Sequence, residues 1–232
     1  MNIFDKLWGW LSDPANWTTT FGTPGIPQRI AEHLQYTAVA VLIAAVIAIP
    51  LGAYIGHTNK GTTFVVGFVN SFRALPELGL LILLVLAMGV LLAVEALTIA
   101  LVLIAIPPLL AGTYAGVRNV DRSVVDAARG MGMRERDVLL KVELPNALPL
   151  ILGALRTATL QVIATASIAA FVSLGGLGRF VIDGYAFREF EQMAGGAVLI
   201  ALLAVLVELV LTGVQWLVVS PGLRNHQVRR SR

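Results

Sequence analysis

The sequence predicts an all-α protein, a polytopic transmembrane helical bundle with five membrane crossings, and three observations carry that expectation. Of 232 residues, 57% are hydrophobic and 13% charged, when a soluble domain carries about 25% charged residues. The mean hydropathy is +0.81. The apolar residues also gather into runs near the ~20 residues that a hydrocarbon core requires, separated by short polar loops. There is no cysteine, which excludes disulfide scaffolds, thiol catalysis and thiolate metal sites. His33, His57 and His226 lie in different segments, so no metal site is expected.

Residues 1–34 form an N-terminal extracytoplasmic or interfacial segment. Phe4, Leu7, Trp8 and Leu11 share one helical face, as in a short helix lying on a membrane surface. Pro14, Gly22, Pro24, Gly25 and Pro27 follow, and no apolar core precedes Pro14, so this is not a secretory signal. The transmembrane domain occupies 35–220. Its first span is 36–55, closed by a turn at 57–61. Residues 62–94 are apolar but interrupted at 70–77, giving either one broken span or two half-length pieces, with Pro76 ending the first. Glu95 opens a span to about 117 through Pro107 and Pro108. A charged cytoplasmic loop, 118–147, precedes a span at 148–172, and the last span is 193–219. That makes five crossings, or six segments if the broken one counts twice. A basic tail, 221–232, ends the chain.

The net charge of +3 and pI near 9.6 do not point to nucleic acid, because the charge is placed otherwise. Six of 17 basic residues lie within 118–141 and four within 224–232, each cluster directly outside an apolar run. The positive-inside rule makes both cytoplasmic, and an odd number of crossings then puts the N-terminus outside. Gly52-x-x-x-Gly56 and Gly112-x-x-x-Gly116 have the spacing for close helix packing. Trp8, Trp10, Trp17 and Trp216 lie near span ends and look like interfacial anchors.

The loop at 118–147 places Val124, Val125, Ala127, Ala128 and Met131 among charges, several on one side of a short helix. Gly132 permits a sharp turn, and Pro145 is expected to end a second short helix. The object is a charged two-helix knob that transmits position between the membrane bundle and another protein. Small Ala127 and Ala128 would let that partner approach closely.

Asp126-Ala127-Ala128, three residues, Gly132, nine residues, then Val142-x-Leu144-Pro145 resembles the EAA signature of bacterial ABC importer permeases, with Asp for the usual Glu and Val for the usual Ile. The resemblance covers about 30–220. It implies a type I importer permease fold, with Asp126, Ala127, Ala128, Gly132, Val142, Leu144 and Pro145 coupling the chain to an ATPase. Ala-rich 164–170 followed by Gly175-Gly176-Leu177-Gly178 is similar to the permeases of osmoprotectant importers for glycine betaine, choline, carnitine or proline-type solutes. Methionine and other importers share Gly-Gly-Leu-Gly, so another small solute stays open. The resemblance further implies two copies of an ATP-binding cassette ATPase, a second permease subunit (identical or different), an extracytoplasmic substrate-binding protein, and residence in the bacterial inner membrane. No Walker-type G-x-x-x-x-G-K-[ST] is present, so this chain is expected to bind no cofactor and to be no enzyme, with ATP used by the partner. A self-contained channel or carrier would predict inverted repeats and midplane acids, and neither is evident.

Ionisable residues within spans carry a default functional expectation. Arg73 and Glu77, flanking Pro76, either pair as a structural lock or line the solute path. Arg156 is expected to snorkel to the inner surface. Glu208 either pairs within the bundle or meets solute. Gly175, Gly176 and Gly178 form either a simple turn or an outer gate that contacts the binding protein. Quaternary amines call for an aromatic cage, and none is evident among the Trp residues, so solute selection is expected to reside in the binding protein.

Overall fold

The computed structural model describes residues 2–19, 22–73 and 75–220, so the basic tail lies outside the described residues. Among these, the chain is helical with no strand: α1 (Ile3–Ser12), α2 (Pro14–Trp17), α3 (Ile26–Thr58), α4 (Thr62–Arg73), α5 (Glu77–Met88), α6 (Ala93–Arg118), α7 (Arg122–Gly130), α8 (Glu135–Val138), α9 (Leu144–Ala166), α10 (Gly178–Phe187) and α11 (Phe190–Val218). Short 3-10 turns occupy Val90–Leu92 and Ser167–Val172, and a π turn spans Leu139–Glu143.

Four helical stretches are long and apolar enough to cross a membrane: Ile26–Thr58, Val90–Arg118, Glu135–Val172 and Phe190–Val218. Of the two alternatives for 62–94, the structure has the two half-length helices. α4 and α5 have 12 residues each, so each rises roughly 18 Å, well short of a core of about 30 Å. Pro76 caps α5, having no N–H to continue the ladder from α4. α3 begins at Ile26, ahead of the expected span start, with Pro27 in its first turn, where a missing N–H costs nothing. Its early turns carry Arg29, Glu32 and His33, so apolar length alone understates the helix.

The chain divides into two compact units: Met1–Val41, Pro76–Val102 and Thr159–Val207 form one, and Leu42–Leu75, Leu103–Ala158 and Glu208–Arg232 the other. The first has a core of Ile26, Leu177, Leu199 and Leu203, against which Trp10, Leu11 and Phe180 pack. Trp10 stands edge-on to Phe180 at 5.3 Å between ring centroids. A Cβ on Gly195 would lie 2.3 Å from its ring. Trp10 is therefore a packing residue rather than an anchor, while Phe4 and Trp8 on the same helix stay exposed.

In the second unit, the two small-residue pairs set helix against helix. A Cβ at Gly52 would meet the Leu110 carbonyl at 2.9 Å, and one at Gly56 would meet Val117 Cβ at 2.8 Å, so α3 lies directly on α6. Gly112 and Gly116 face Ala154 and Ala147 in the same way, seating α6 on α9. Lipid provides no hydrophobic drive between apolar helices, so such close approach supplies dispersion contact instead. Ala53, Val117, Ala147 and Ile151 fill this junction.

Candidate functional site

The loop expected to couple the chain to a partner is built around α7. Asp121 caps the helix, accepting from the Ser123 backbone N–H at 2.9 Å. At the other end Gly132 adopts φ +85°. Its N–H donates to the Arg129 carbonyl at 2.9 Å, and the Met133 N–H donates to the Ala128 carbonyl at 3.2 Å. This is the Schellman pattern, in which a left-handed residue sits four positions after the residue whose carbonyl closes the helix. The spacing from Ala128 to Gly132 is thus set by backbone hydrogen bonding. The accompanying apolar contact is present too: Val125, Ala128 and Val138 form a small core joined by Met133, Val120 and Val142.

That core corrects the expectation for the paired alanines. Ala128 is 3% exposed and belongs to the inside of the knob. Ala127 faces out, as do Val124 and Met131, and positions three and seven residues on from Val124 share one helical face. The exposed apolar stripe of α7 is therefore Val124, Ala127 and Met131. Asp126 is exposed beside them, 3.8 Å from the Arg129 guanidinium. Arg129 also clasps Glu135 across the turn through two 2.9 Å bonds, which raise the Arg129 pKa above its ordinary value.

Pro145 does not end the second helix. α8 passes through the π turn into α9, so the helix continues from Glu135 to Val172. A proline inside an α-helix leaves the carbonyl four residues back without a donor and crowds it. A wider π turn directly before Pro145 relieves that conflict, and the Leu144 N–H bonds back to the Leu139 carbonyl. Asn146 adds a side-chain bond to the Val142 carbonyl at 2.7 Å. Val142 packs in the knob, while Leu144 packs on the α3–α6–α9 junction.

In the first unit, the Gly175–Gly178 turn joins the 3-10 segment Ser167–Val172 to α10, and each glycine there has a geometric reason. A Cβ at Gly175 would lie 2.0 Å from Glu32 Oε2, and one at Gly178 would lie 2.0 Å from the Ser167 carbonyl oxygen. Gly176 has φ +85°, and its N–H donates to Glu32 Oε2 at 2.8 Å. His33, fully buried, fastens the same turn: Nε2 lies 2.9 Å from the Ile163 carbonyl, and Nδ1 accepts from the Leu177 N–H at 3.3 Å. A carbonyl only accepts and an N–H only donates, so these partners select the neutral Nε2–H tautomer.

The remaining span residues separate. The Arg73 side chain lies outside the described residues, and with it any pair to Glu77. Glu77 accepts from the Thr165 hydroxyl at 2.7 Å. The Arg156 guanidinium grips Glu208 through both carboxylate oxygens and donates to Gln215 at 3.0 Å. Gln215 in turn donates to the Pro149 carbonyl at 3.2 Å. Glu208 is thus a paired residue joining α9 to α11.

The sequence reading missed His57, at the end of α3. Its Nδ1 lies 2.6 Å from Glu143 Oε2 and its Nε2 lies 3.2 Å from Glu135 Oε2. Glu143 occupies the unspecified position of the Val-x-Leu-Pro pattern, so the motif spacing gave no signal for it. His33 and Glu32 were missed for a similar reason: they meet backbone groups distant in sequence, the Ile163 carbonyl of α9 and the Gly176 and Leu177 N–H groups of the turn.

Residues 40–224 match the family described as binding-protein-dependent transport system inner membrane component. The glycine betaine/carnitine/choline transport system permease protein OpuCB of Bacillus subtilis is 33% identical over 85% of this chain and 90% of its own length. The carnitine transport permease protein OpuCD of Listeria monocytogenes is 35% identical over 82% and 85%, and the osmoprotectant import permease protein OsmW of Salmonella typhimurium 31% over 83% and 91%. Among solved structures, an inward-facing MetNI methionine ABC transporter superposes with TM-score 0.74 over 90% of this chain and 100% of the matched one, at 23% identity. At that identity the likeness is one of fold.

Proposed function

Since the chain belongs to the binding-protein-dependent transport system inner membrane components and is a transport permease, we propose that it is the membrane subunit of an ATP-driven importer of osmoprotectants such as glycine betaine, choline or carnitine. The observation that carries the mechanism is the α7 knob. It is closed on itself by the Gly132 turn and by its own core, and it leaves Val124, Ala127 and Met131 uncovered. A compact body with an outward apolar stripe and basic flanks suits a groove on an ATPase. Closure of two ATPases would move two such knobs, one per permease subunit, and open the bundle outward.

The substrate class rests on the relatives' names, several of which specify choline, carnitine or glycine betaine. Solute selection falls to the separate binding protein, and the Gly175–Gly178 turn is proposed as its docking point or an outer gate. Glu77, beside the α4–α5 break, is the acidic group proposed to line the solute path. The topology proposed is five crossings, with α4 and α5 sharing one, the N-terminus outside and the C-terminus cytoplasmic in the bacterial inner membrane.

The test is uptake of radiolabelled glycine betaine and choline at high osmolarity, with and without this gene, in cells lacking other osmoprotectant importers. Loss of energy-dependent uptake of either solute supports the assignment. Unchanged uptake of both overturns the substrate class and leaves the coupling reading to be tested with other small solutes.

A further inference from the structure

The knob is joined to the end of α3 by a histidine–carboxylate bridge that the EAA signature does not include. His57 lies in the last turn of α3, and its side chain is 11% exposed. Glu143, in the π turn, has a 7% exposed carboxylate. A buried carboxylate requires a countercharge or donors, and His57 Nδ1, at 2.6 Å, supplies one. The other ring nitrogen faces a second carboxylate, Glu135, which Arg129 of α7 holds from the far side. A neutral imidazole has one N–H and one lone pair, so it satisfies one of these acids and turns a lone pair toward the other. With both acids ionised, both contacts are favourable together only for the imidazolium. The contrast with His33 is internal to this chain, since there one acceptor and one donor select the neutral ring.

We propose that His57, as an imidazolium bridging Glu143 and Glu135, is a positioning residue that seats the coupling knob on the end of α3. Through Glu135 the bridge reaches Arg129, so the first turn of α8, the π turn and α7 are tied to one point. The π turn is the place where the helix entering α9 could flex, and the bridge spans it from Glu135 to Glu143. With the bridge made, displacement of α7 is carried into α3 and α9; without it, the knob turns about the π segment. The other charged groups around the ring are Arg118 from α6 and Arg122 and Asp126 from α7, which line the same polar cleft as His57 and Glu143. The inference rests on the coupling function proposed for α7.

The experiment uses the full chain, assembled with its ATPase and binding protein in proteoliposomes, and reads solute taken up per ATP hydrolysed. His57→Gln should lower that ratio by about fivefold or more, with ATP turnover per assembled complex retained. His57→Arg, which keeps a cation, should preserve most of the ratio. Glu143→Gln, which keeps the shape and removes the charge, should uncouple like His57→Gln, and the double variant should be no worse than either single. Ala127→Glu is the control for the coupling function itself. If Ala127→Glu uncouples while His57→Gln and Glu143→Gln keep a normal ratio, the bridge is overturned and the knob stands. If uptake and ATP turnover fall in proportion in His57→Gln, the residue is merely structural and the proposal is also overturned. A normal ratio in Ala127→Glu overturns the coupling reading. Should His57→Gln fail to assemble, Glu143→Gln and His57→Arg decide.

Discussion

Gly132 and Gly178 are both favoured as glycine by the backbone, but not for the same reason. Gly132 has a left-handed φ of +85° with open space where a Cβ would go, so Gly132→Ala should cost only the torsional term, about 1–2 kcal/mol. Gly132→Asn should recover part of that, because Asn tolerates the left-handed region. At Gly178 a Cβ would stand 2.0 Å from the Ser167 carbonyl oxygen, and no side-chain motion removes a backbone clash. Thermal unfolding of the purified protein in detergent should therefore show a modest drop for Gly132→Ala and a far larger one, or no folded protein, for Gly178→Ala. Equal drops would contradict this assignment of causes. The Arg156–Glu208 pair makes a similar contrast: removing one partner strands a charge within the helical bundle, while removing both does not. Arg156→Leu should melt lower than the double variant Arg156→Leu/Glu208→Leu, and the reverse order would show that the pair does not act as a unit.

At the scale of elements, α7 has an inside and an outside, and its two alanines test them separately. Ala128 sits in the small core with Val125 and Val138, so Ala128→Leu should overpack it and lower stability by about 1–3 kcal/mol. Ala127 is on the outer face, so Ala127→Glu should leave the melting temperature near the parent's and break the link between ATP hydrolysis and uptake. The opposite pattern would mean that the wrong face has been assigned to the partner. The junction of α8 and α9 has its own test. Asn146 donates to the Val142 carbonyl directly after the π turn, so Asn146→Ala should cost about 1 kcal/mol. Amide hydrogen exchange should accelerate locally across Leu139–Glu143 and the first turn of α9. Unchanged protection there would mean that Pro145 is accommodated without this side chain.

For the whole molecule, the outstanding quantity is the number of crossings. Among the described residues four helices are long enough to span alone, and four would put both termini on one side. α4 and α5 together supply the fifth in the proposed topology. Because the chain has no cysteine, single-cysteine variants are easily read. In intact cells a membrane-impermeant maleimide should label Asn2→Cys, and should label Ser220→Cys only after permeabilisation. Labelling of both from outside, or of neither, would give an even count and overturn the pairing of α4 with α5.

Much of the fold was legible because lipid is a simple solvent. Apolar runs of sufficient length announce spans, and the small-residue pairs announce close helix contacts. The knob was legible too, since the step from Ala128 to Gly132 is a local backbone motif whose hydrogen bonds close within a few residues. What escaped were the polar partnerships across helices. His57 meets Glu143 across 86 positions, Glu77 meets Thr165 across 88, and His33 meets Ile163 across 130. The burial of Ala128 beside an exposed Ala127 escaped as well, because it depends on Val138 arriving from beyond the turn. Hydropathy and spacing report what each residue can do with solvent and near neighbours. Which acid a histidine faces depends on how the helices are packed, and only the assembled chain brings those groups within hydrogen-bonding distance.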